Sequence, residues 1–282
     1  MYPYFRLSNP VMNYAWGSFD TIHALIGEES PGKEPMAELW MGAHPKAPSL
    51  VELDGRQQRL DEIIREQPQD ILGAATAAKF NNQLPFLFKV LSARLPLSIQ
   101  AHPNAEQAQN GFERENDLKI PMTAPHRNYR DANHKPECIC ALSEFWALCG
   151  FRAPKEIADL LEYICPTGLA DETNWLRRRG DQLQPFFARM MQINSDARAQ
   201  LVEEALRNTR QNATDRANDP VAYWIHAISN DFPGDIGILA PAFLNLIRLE
   251  PEEGLFLPAG SLHAYLRGTG IEIMASSDNV LR

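Results

Sequence analysis

No run of this sequence is long and apolar enough to cross a bilayer. The greasiest stretch, residues 236–247, carries Pro241 and Asn245 and falls short of the roughly 20 apolar residues of a spanning helix. The first ten residues, MYPYFRLSNP, hold no continuous apolar segment, so no secretory leader is read there. Cysteine is scarce. Cys138, Cys140, Cys149 and Cys165 form neither a C-x-x-C pair nor a disulfide framework, and reduced, buried thiols in a cytoplasmic protein are expected. On that reading the sequon Asn212-Ala213-Thr214 carries no glycan. Basic charge is not in excess either. A net charge of −9 and a pI near 5.3 argue against nucleic acid, although a few cations gathered in one pocket can still hold a small anion. With 44% apolar and 22% charged residues over 282 positions, the composition is that of an ordered globular protein of one large or two ordinary domains.

What is present is a change of pattern along the chain. Residues 1 to about 150 read as strands and turns, with turn formers at Pro31-Gly32 and Asp54-Gly55 and an apolar run at 86–91. Helix is expected over 60–65 and near 74–80. From Pro154 the period becomes helical: Ile157, Leu160, Leu161 and Ile164, then Leu183, Phe186, Phe187, Met190 and Met191. Ala197, Leu201, Val202 and Ala205 follow an expected cap at Ser195, and Asp219-Pro220 opens a helix carrying Val221, Trp224, Ile225 and Ile228. These stripes are read as core. After Asp235 strand signals return at 244–249, 254–257, 262–266 and 271–274, with turns at Pro258-Ala259-Gly260 and Gly268-Thr269-Gly270. The expected fold is mainly β with an insert of four helices. Residues 1–152 and 236–282 form a discontinuous body, and 153–235 the insert.

Three segments can carry chemistry. In Leu97-Ser98-Ile99-Gln100-Ala101-His102-Pro103 a strand would place Ser98, Gln100 and His102 on one face, ending at Pro103. A polar strand face and a metal site explain this pattern equally well. In Asn133-His134-Lys135-Pro136-Glu137, Lys135 and Glu137 point the same way if the segment is extended, and the apolar residues that follow draw Glu137 below the surface. A buried carboxylate needs a partner there, which a lysine or a metal supplies. In the third segment His263 and Tyr265 share a face, and a tight turn at 268–270 would bring Glu272 alongside them. Gln100, His102, Glu137 and His263 offer two nitrogens and two oxygens, a set that suits Zn²⁺ or a similar divalent ion. His23, His44, His126, His134 and His226 are read as surface or packing residues, and Arg177-Arg178-Arg179 as a solvated helix face.

The strings LPFLFKVLS, LSIQAHP, NHKPE, LPAGSLHAYL and GIEIMASSDNVLR, with NYAWG and AELWMGAHP before them, resemble the class I, zinc-dependent mannose-6-phosphate isomerase family. The similarity runs from Met1 to Arg282 and is least distinctive in the helical insert. It implies a cupin-type (jelly-roll) β-barrel holding one zinc, plus a helical domain. Gln100, His102, Glu137 and His263 become the implied zinc ligands. Trp16, Glu38, Lys89, Ser98, Lys135, Tyr265, Glu272 and Arg282 are placed around the substrate, with Arg282 the principal catalytic candidate. The implied reaction is reversible conversion of mannose 6-phosphate to fructose 6-phosphate by proton transfer between C1 and C2. Glu272 and Lys135 are both open as the acid/base, and Arg282, Lys89 and Ser98 as phosphate contacts. Other implications are a place in carbohydrate metabolism and GDP-mannose supply, a monomer, and no nucleic-acid or membrane partner. Family members continue past SDNVxR into another β-domain that supplies a pocket lysine, so a truncated product or a deliberate fragment is expected. A differently specific or non-catalytic metal-cupin, and an inactive fragment, stand as alternatives.

Overall fold

Side-chain alternation decides the main sheet. The computed structural model describes residues 6–53, 55–180 and 182–281. In Phe86–Ala93, Leu87, Lys89 and Leu91 are buried on one face, while Phe86 stays exposed on the other. The strands Gly254–Leu257, Glu137–Ala141, His263–Ala275, Phe86–Ala93, Glu38–Met41 and Val11–Met12 follow one another across the sheet. Each is antiparallel to its neighbour.

Register then lays three rows on one face. The first is Leu257, Glu137, Met274 and Leu87. The second is Leu255, Ile139, Glu272, Lys89 and Trp40. The third is Ala141, Gly270, Leu91 and Glu38. Four charged residues thus share a face with the packed cluster of Trp40, Leu87 and Met274. On the opposite face Leu39 and Val90 are covered by Ile22 and Met36.

One expectation fails here. Residues 268–270 make no turn, because His263–Ala275 is a single strand of 13 residues. Gly268 bends it at φ +128°, where a Cβ would lie 2.7 Å from the Glu144 carbonyl oxygen. Only glycine meets both conditions. Glu272 therefore reaches the site by pairing across from Lys89, not by folding back onto His263.

The first compact unit runs through Phe145 and takes in Leu249–Ser261 and the chain after Leu266. Besides the main sheet it holds a small antiparallel sheet of Leu7–Ser8, Leu50–Leu53 and Arg56–Arg59. Helices Leu60–Glu66 and Ala74–Lys79 lie where expected, with Pro68–Leu72 between them. The helix Ala105–Asp117 was not expected. Its capping box is complete: Asn104 Oδ1 accepts from the Gln107 N–H at 2.8 Å, and Gln107 Oε1 accepts from the Asn104 N–H at 3.0 Å.

The second unit comprises Trp146–Arg248 with Leu262–Tyr265. Its longer helices are Pro154–Ile164, Ala170–Arg178, Leu183–Met191, Ser195–Thr209 and Pro220–Asp231, so Ala170–Arg178 adds one to the expected set. Asn194, not Ser195, caps the fourth of these by accepting from the Ala197 N–H at 3.0 Å. The helical stripes meet as a core: Ile157, Leu161, Phe186, Ala205, Trp224 and Ile225 are fully buried. Burying each of the larger of these side chains contributes roughly 1.5–3 kcal/mol. Trp224 packs on Trp146 with ring centroids 5.8 Å apart.

Candidate metal centre

His102, Glu137 and His263 come together although the first and last are 161 positions apart. All three are buried, and their ligand atoms lie within 4.8 Å of one another. Glu137 opens the strand Glu137–Ala141, and His263 opens His263–Ala275. His102 sits on an extended segment that differs from the expected strand. Among the described residues, 97–102 join no extended ladder: Gln100 and Ala101 sit in isolated bridges, and in Ala101↔Leu281 each N–H donates to the other's carbonyl at 3.0 Å. Along this segment Ser98 is exposed, Gln100 half-buried and His102 buried.

The chemistry of these donors fits a divalent ion. His102 Nδ1–H donates to the Asn279 carbonyl at 2.9 Å, which leaves the lone pair of the neutral ring on Nε2. That nitrogen lies 3.2 Å from Glu137 Oε1. Two electron-rich atoms facing each other repel unless a cation or proton lies between them. Two ligands of one tetrahedral zinc, each about 2.0–2.2 Å from it, stand roughly 3.3–3.6 Å apart. With His263 as a third donor and Gln100 two residues before His102, the set matches the mixed nitrogen and oxygen ligation that zinc accepts.

Beside these donors runs a ladder of buried charge. Lys135 Nζ is 3.3 Å from Glu137 Oε1. Lys89 Nζ is 2.7 Å from Glu272 Oε2 and donates to Glu38 Oε1 at 2.9 Å. Glu38 Oε2 also accepts from the Trp40 indole N–H at 2.8 Å. Burial pushes the Glu38 carboxyl up, but Lys89, the Trp40 hydrogen bond and Lys135 pull harder and hold it below its ordinary value. Burial pulls the Lys89 ammonium down, yet Glu272, Glu38 and Glu137 keep it above the ordinary lysine value. Among the described residues of the ladder three carboxylates face two ammonium groups, and a divalent ion would turn that surplus of negative charge into a positive one.

Other expected residues fall less centrally. Tyr265 is buried with its ring centroid 6.0 Å from that of His263. Trp16 is half-buried, stacks on Tyr14 at 5.7 Å, and shares in none of the ladder's ion pairs. Ser98 is exposed. Arg282 lies outside the described residues. His23 and His44 are packing residues, 5% and 6% exposed. The expected solvated arginine face pairs its Arg177 with Asp159 and Glu162 at the surface. Sequence reasoning passed over Asn279, whose carbonyl orients His102, and Asp131, which holds the turn before Lys135. Both are short polar residues in loops, and nothing in their spacing marks them.

Two family models match this chain: "Phosphomannose isomerase type I, catalytic domain" over residues 4–154, and the helical insertion domain of the same type over residues 168–244. The mannose-6-phosphate isomerase of Escherichia coli (strain K12) is 41% identical over 278 residues, which is 98% of this chain and 70% of that protein. The human mannose-6-phosphate isomerase is 37% identical over 301 residues, 99% of this chain and 68% of the relative. Among solved structures, a zinc-bound mannose 6-phosphate isomerase superposes with a TM-score of 0.88 at 40% identity, covering 99% of this chain and 69% of that one. The Salmonella typhimurium enzyme bound to substrate and zinc gives 0.86 at 40% identity, again over 99% of this chain and 69% of that one. The chain spans about 70% of the length of these curated bacterial relatives.

Proposed function

Because the chain belongs to the type I phosphomannose isomerase family, we infer that it interconverts mannose 6-phosphate and fructose 6-phosphate as a zinc-dependent aldose–ketose isomerase. The observation that carries this is the convergence of His102, Glu137 and His263 beside the buried Lys/Glu ladder. Gln100, His102, Glu137 and His263 are assigned as the zinc ligands. Bound there, zinc supplies a Lewis acid that stabilises negative charge developing on the sugar oxygens, worth several kcal/mol.

The chain's own residues do the rest. Isomerisation moves a proton between C1 and C2, so a positioned acid/base must take it from one carbon and return it to the other. Glu272 and Lys135 are assigned to that proton, because both are buried carriers in or beside the ladder. Lys89 fixes the Glu272 carboxylate at 2.7 Å and braces Glu38 behind it. Lys89 and Ser98 are assigned to the phosphate, with Arg282 contributing there or at the developing oxyanion through its forked guanidinium. Trp16 and Tyr265 complete the substrate contacts.

The finer assignments follow from the same reading. Residues 1–152 and 236–282 are proposed as a cupin-type catalytic domain and 153–235 as its helical insert. The rows of inward side chains on an antiparallel sheet support a barrel interior. A cytoplasmic location is supported by the free thiols Cys138, Cys140, Cys149 and Cys165. A monomer acting in carbohydrate metabolism at the supply of GDP-mannose completes the proposal.

Chelation followed by zinc add-back, with mannose, glucose and ribose phosphates offered in parallel, tests the assignment. Zinc-dependent turnover of the mannose ester is expected. Turnover of another ester in its place would reject the substrate, and zinc binding without turnover of any would favour a binding protein.

A further inference from the structure

Asn279 has no exposed surface, yet it lies in a loop and not in a strand. Its side chain has four hydrogen-bonding positions, and all four are used. Oδ1 accepts from the N–H groups of Arg130 and Asp131, at 2.6 and 3.2 Å. Nδ2 donates to the carbonyls of Asp131 and Asn133, at 2.8 and 3.0 Å, with Asp131 Oδ1 also within 3.2 Å. Only a primary amide satisfies such a set, since a carboxylate has no hydrogen to give the carbonyls and an aliphatic side chain offers neither half. The main chain of the same residue holds a metal-site histidine, for its carbonyl accepts from His102 Nδ1–H.

The segment gripped by Asn279 runs straight into Lys135 and Glu137. Asp131 closes the grip from the other side. Its carboxylate accepts from Ser277 Oγ–H at 2.8 Å, from the Asn133 N–H at 2.9 Å and from the Asp278 N–H at 2.7 Å. The Asn279 N–H in turn donates to Ser277 Oγ at 3.2 Å. One buried residue therefore ties the orientation of His102 to the placement of the segment bearing Lys135 and Glu137.

We propose that Asn279, braced by Asp131 and Ser277, is a positioning residue of the metal centre: it sets the relative placement of His102 and Glu137 and thereby the affinity for the ion. This rests on the metal site proposed above. Groups that orient metal ligands typically change affinity by ~10–100-fold when removed.

The test measures zinc affinity by competition with a chromophoric chelator, and the visible absorption of the cobalt-substituted protein, for the unaltered chain, Asn279→Asp and Ser277→Ala. Asn279→Asp keeps the shape and removes both amide donors. It should lose ~10–100-fold in zinc affinity and shift the cobalt bands, with Ser277→Ala changing both in the same direction by less. Glu204→Gln is the control. Glu204 accepts the Thr167 and Gly168 N–H groups at 2.9 Å in the helical unit, so its substitution lowers stability while leaving affinity and cobalt spectrum unchanged. Ser277→Ala carries the test if Asn279→Asp does not fold. Zinc affinity within about twofold of the unaltered chain and an unshifted cobalt spectrum in the folded variants would overturn the proposal. No zinc binding by the unaltered chain would overturn the metal centre itself, and the clamp with it.

Discussion

Lys89 is 7% exposed and faces two carboxylates, Glu38 and Glu272, on the sheet face that also carries the packed cluster of Trp40, Leu87 and Met274. Replacing it with methionine keeps volume and burial but leaves two carboxylates without their cation. Breaking a buried pair in this way costs about 3–5 kcal/mol, and urea unfolding of Lys89→Met should show that loss at neutral pH. Acid should change the comparison. The Glu38 carboxyl is held below its ordinary value, so its contribution is complete above the unfolded carboxylate value and is lost as pH falls through the folded one. Lys89 is held above its ordinary value, so its contribution is intact below pH ~10 and fades only in strong alkali. The gap between parent and Lys89→Met is therefore expected to be widest above neutral pH and to narrow as pH falls, beginning where the variant's uncompensated buried carboxylates take up protons. A gap that widens in acid would show that Glu38 is not paired as described. At this scale the sequence alone was a poor guide. Lys135 and Glu137 were legible as near neighbours, whereas the partnership of Lys89 with Glu38 and Glu272 depends on strand register across more than 180 residues of chain. Family resemblance brought those residues forward, and register explains why they meet.

Among the elements, local signals succeeded where one helix or strand decides its own form and failed where a neighbour decides. The stripe Ile157, Leu160, Leu161 and Ile164 became the helix Pro154–Ile164, because an apolar face at helical spacing needs only a core to bury it. Ala105–Asp117 escaped notice because its composition is polar and its apolar face narrow. Yet Asn104 and Gln107 stand three apart, and that pair announced the cap. Gly268-Thr269-Gly270 misled in the opposite direction. Two glycines around a threonine read as a turn, but the ladder on both sides of His263–Ala275 carries the strand straight through. Gly268 is constrained by both its backbone angle and its neighbours. A methyl group there would need φ +128° and would meet the Glu144 carbonyl oxygen at 2.7 Å and the Phe145 ring at 2.7 Å. Gly268→Ala should cost about 2–6 kcal/mol, the sum of backbone strain and overpacking. Chemical denaturation read by far-UV circular dichroism checks it, and a change below about 0.5 kcal/mol would mean that the strand does not bend as described.

For the molecule as a whole, a zinc at His102, Glu137 and His263 joins segments that stand far apart in the chain. Unfolding must separate them, so the ion stabilises the fold by mass action. Free zinc at a thousand times its dissociation constant adds about 4 kcal/mol. For a domain of 150–250 residues each kcal/mol moves the midpoint by about 2–4 °C. Saturating zinc should therefore raise the thermal midpoint of the zinc-free protein by roughly 8–16 °C, and chelation should reverse it. The effect should shrink in Glu137→Gln, in which a neutral amide replaces the carboxylate that lies 3.2 Å from His102 Nε2. The comparison is decisive because the net charge of −9 also attracts divalent ions to the surface without selectivity. Calcium or magnesium shares that nonspecific attraction but prefers all-oxygen ligation, so neither should reproduce the zinc shift. A midpoint raised equally by all three ions, or raised as far by zinc in Glu137→Gln as in the parent, would show that general screening of an acidic protein, and not a ligated ion, accounts for the stabilisation.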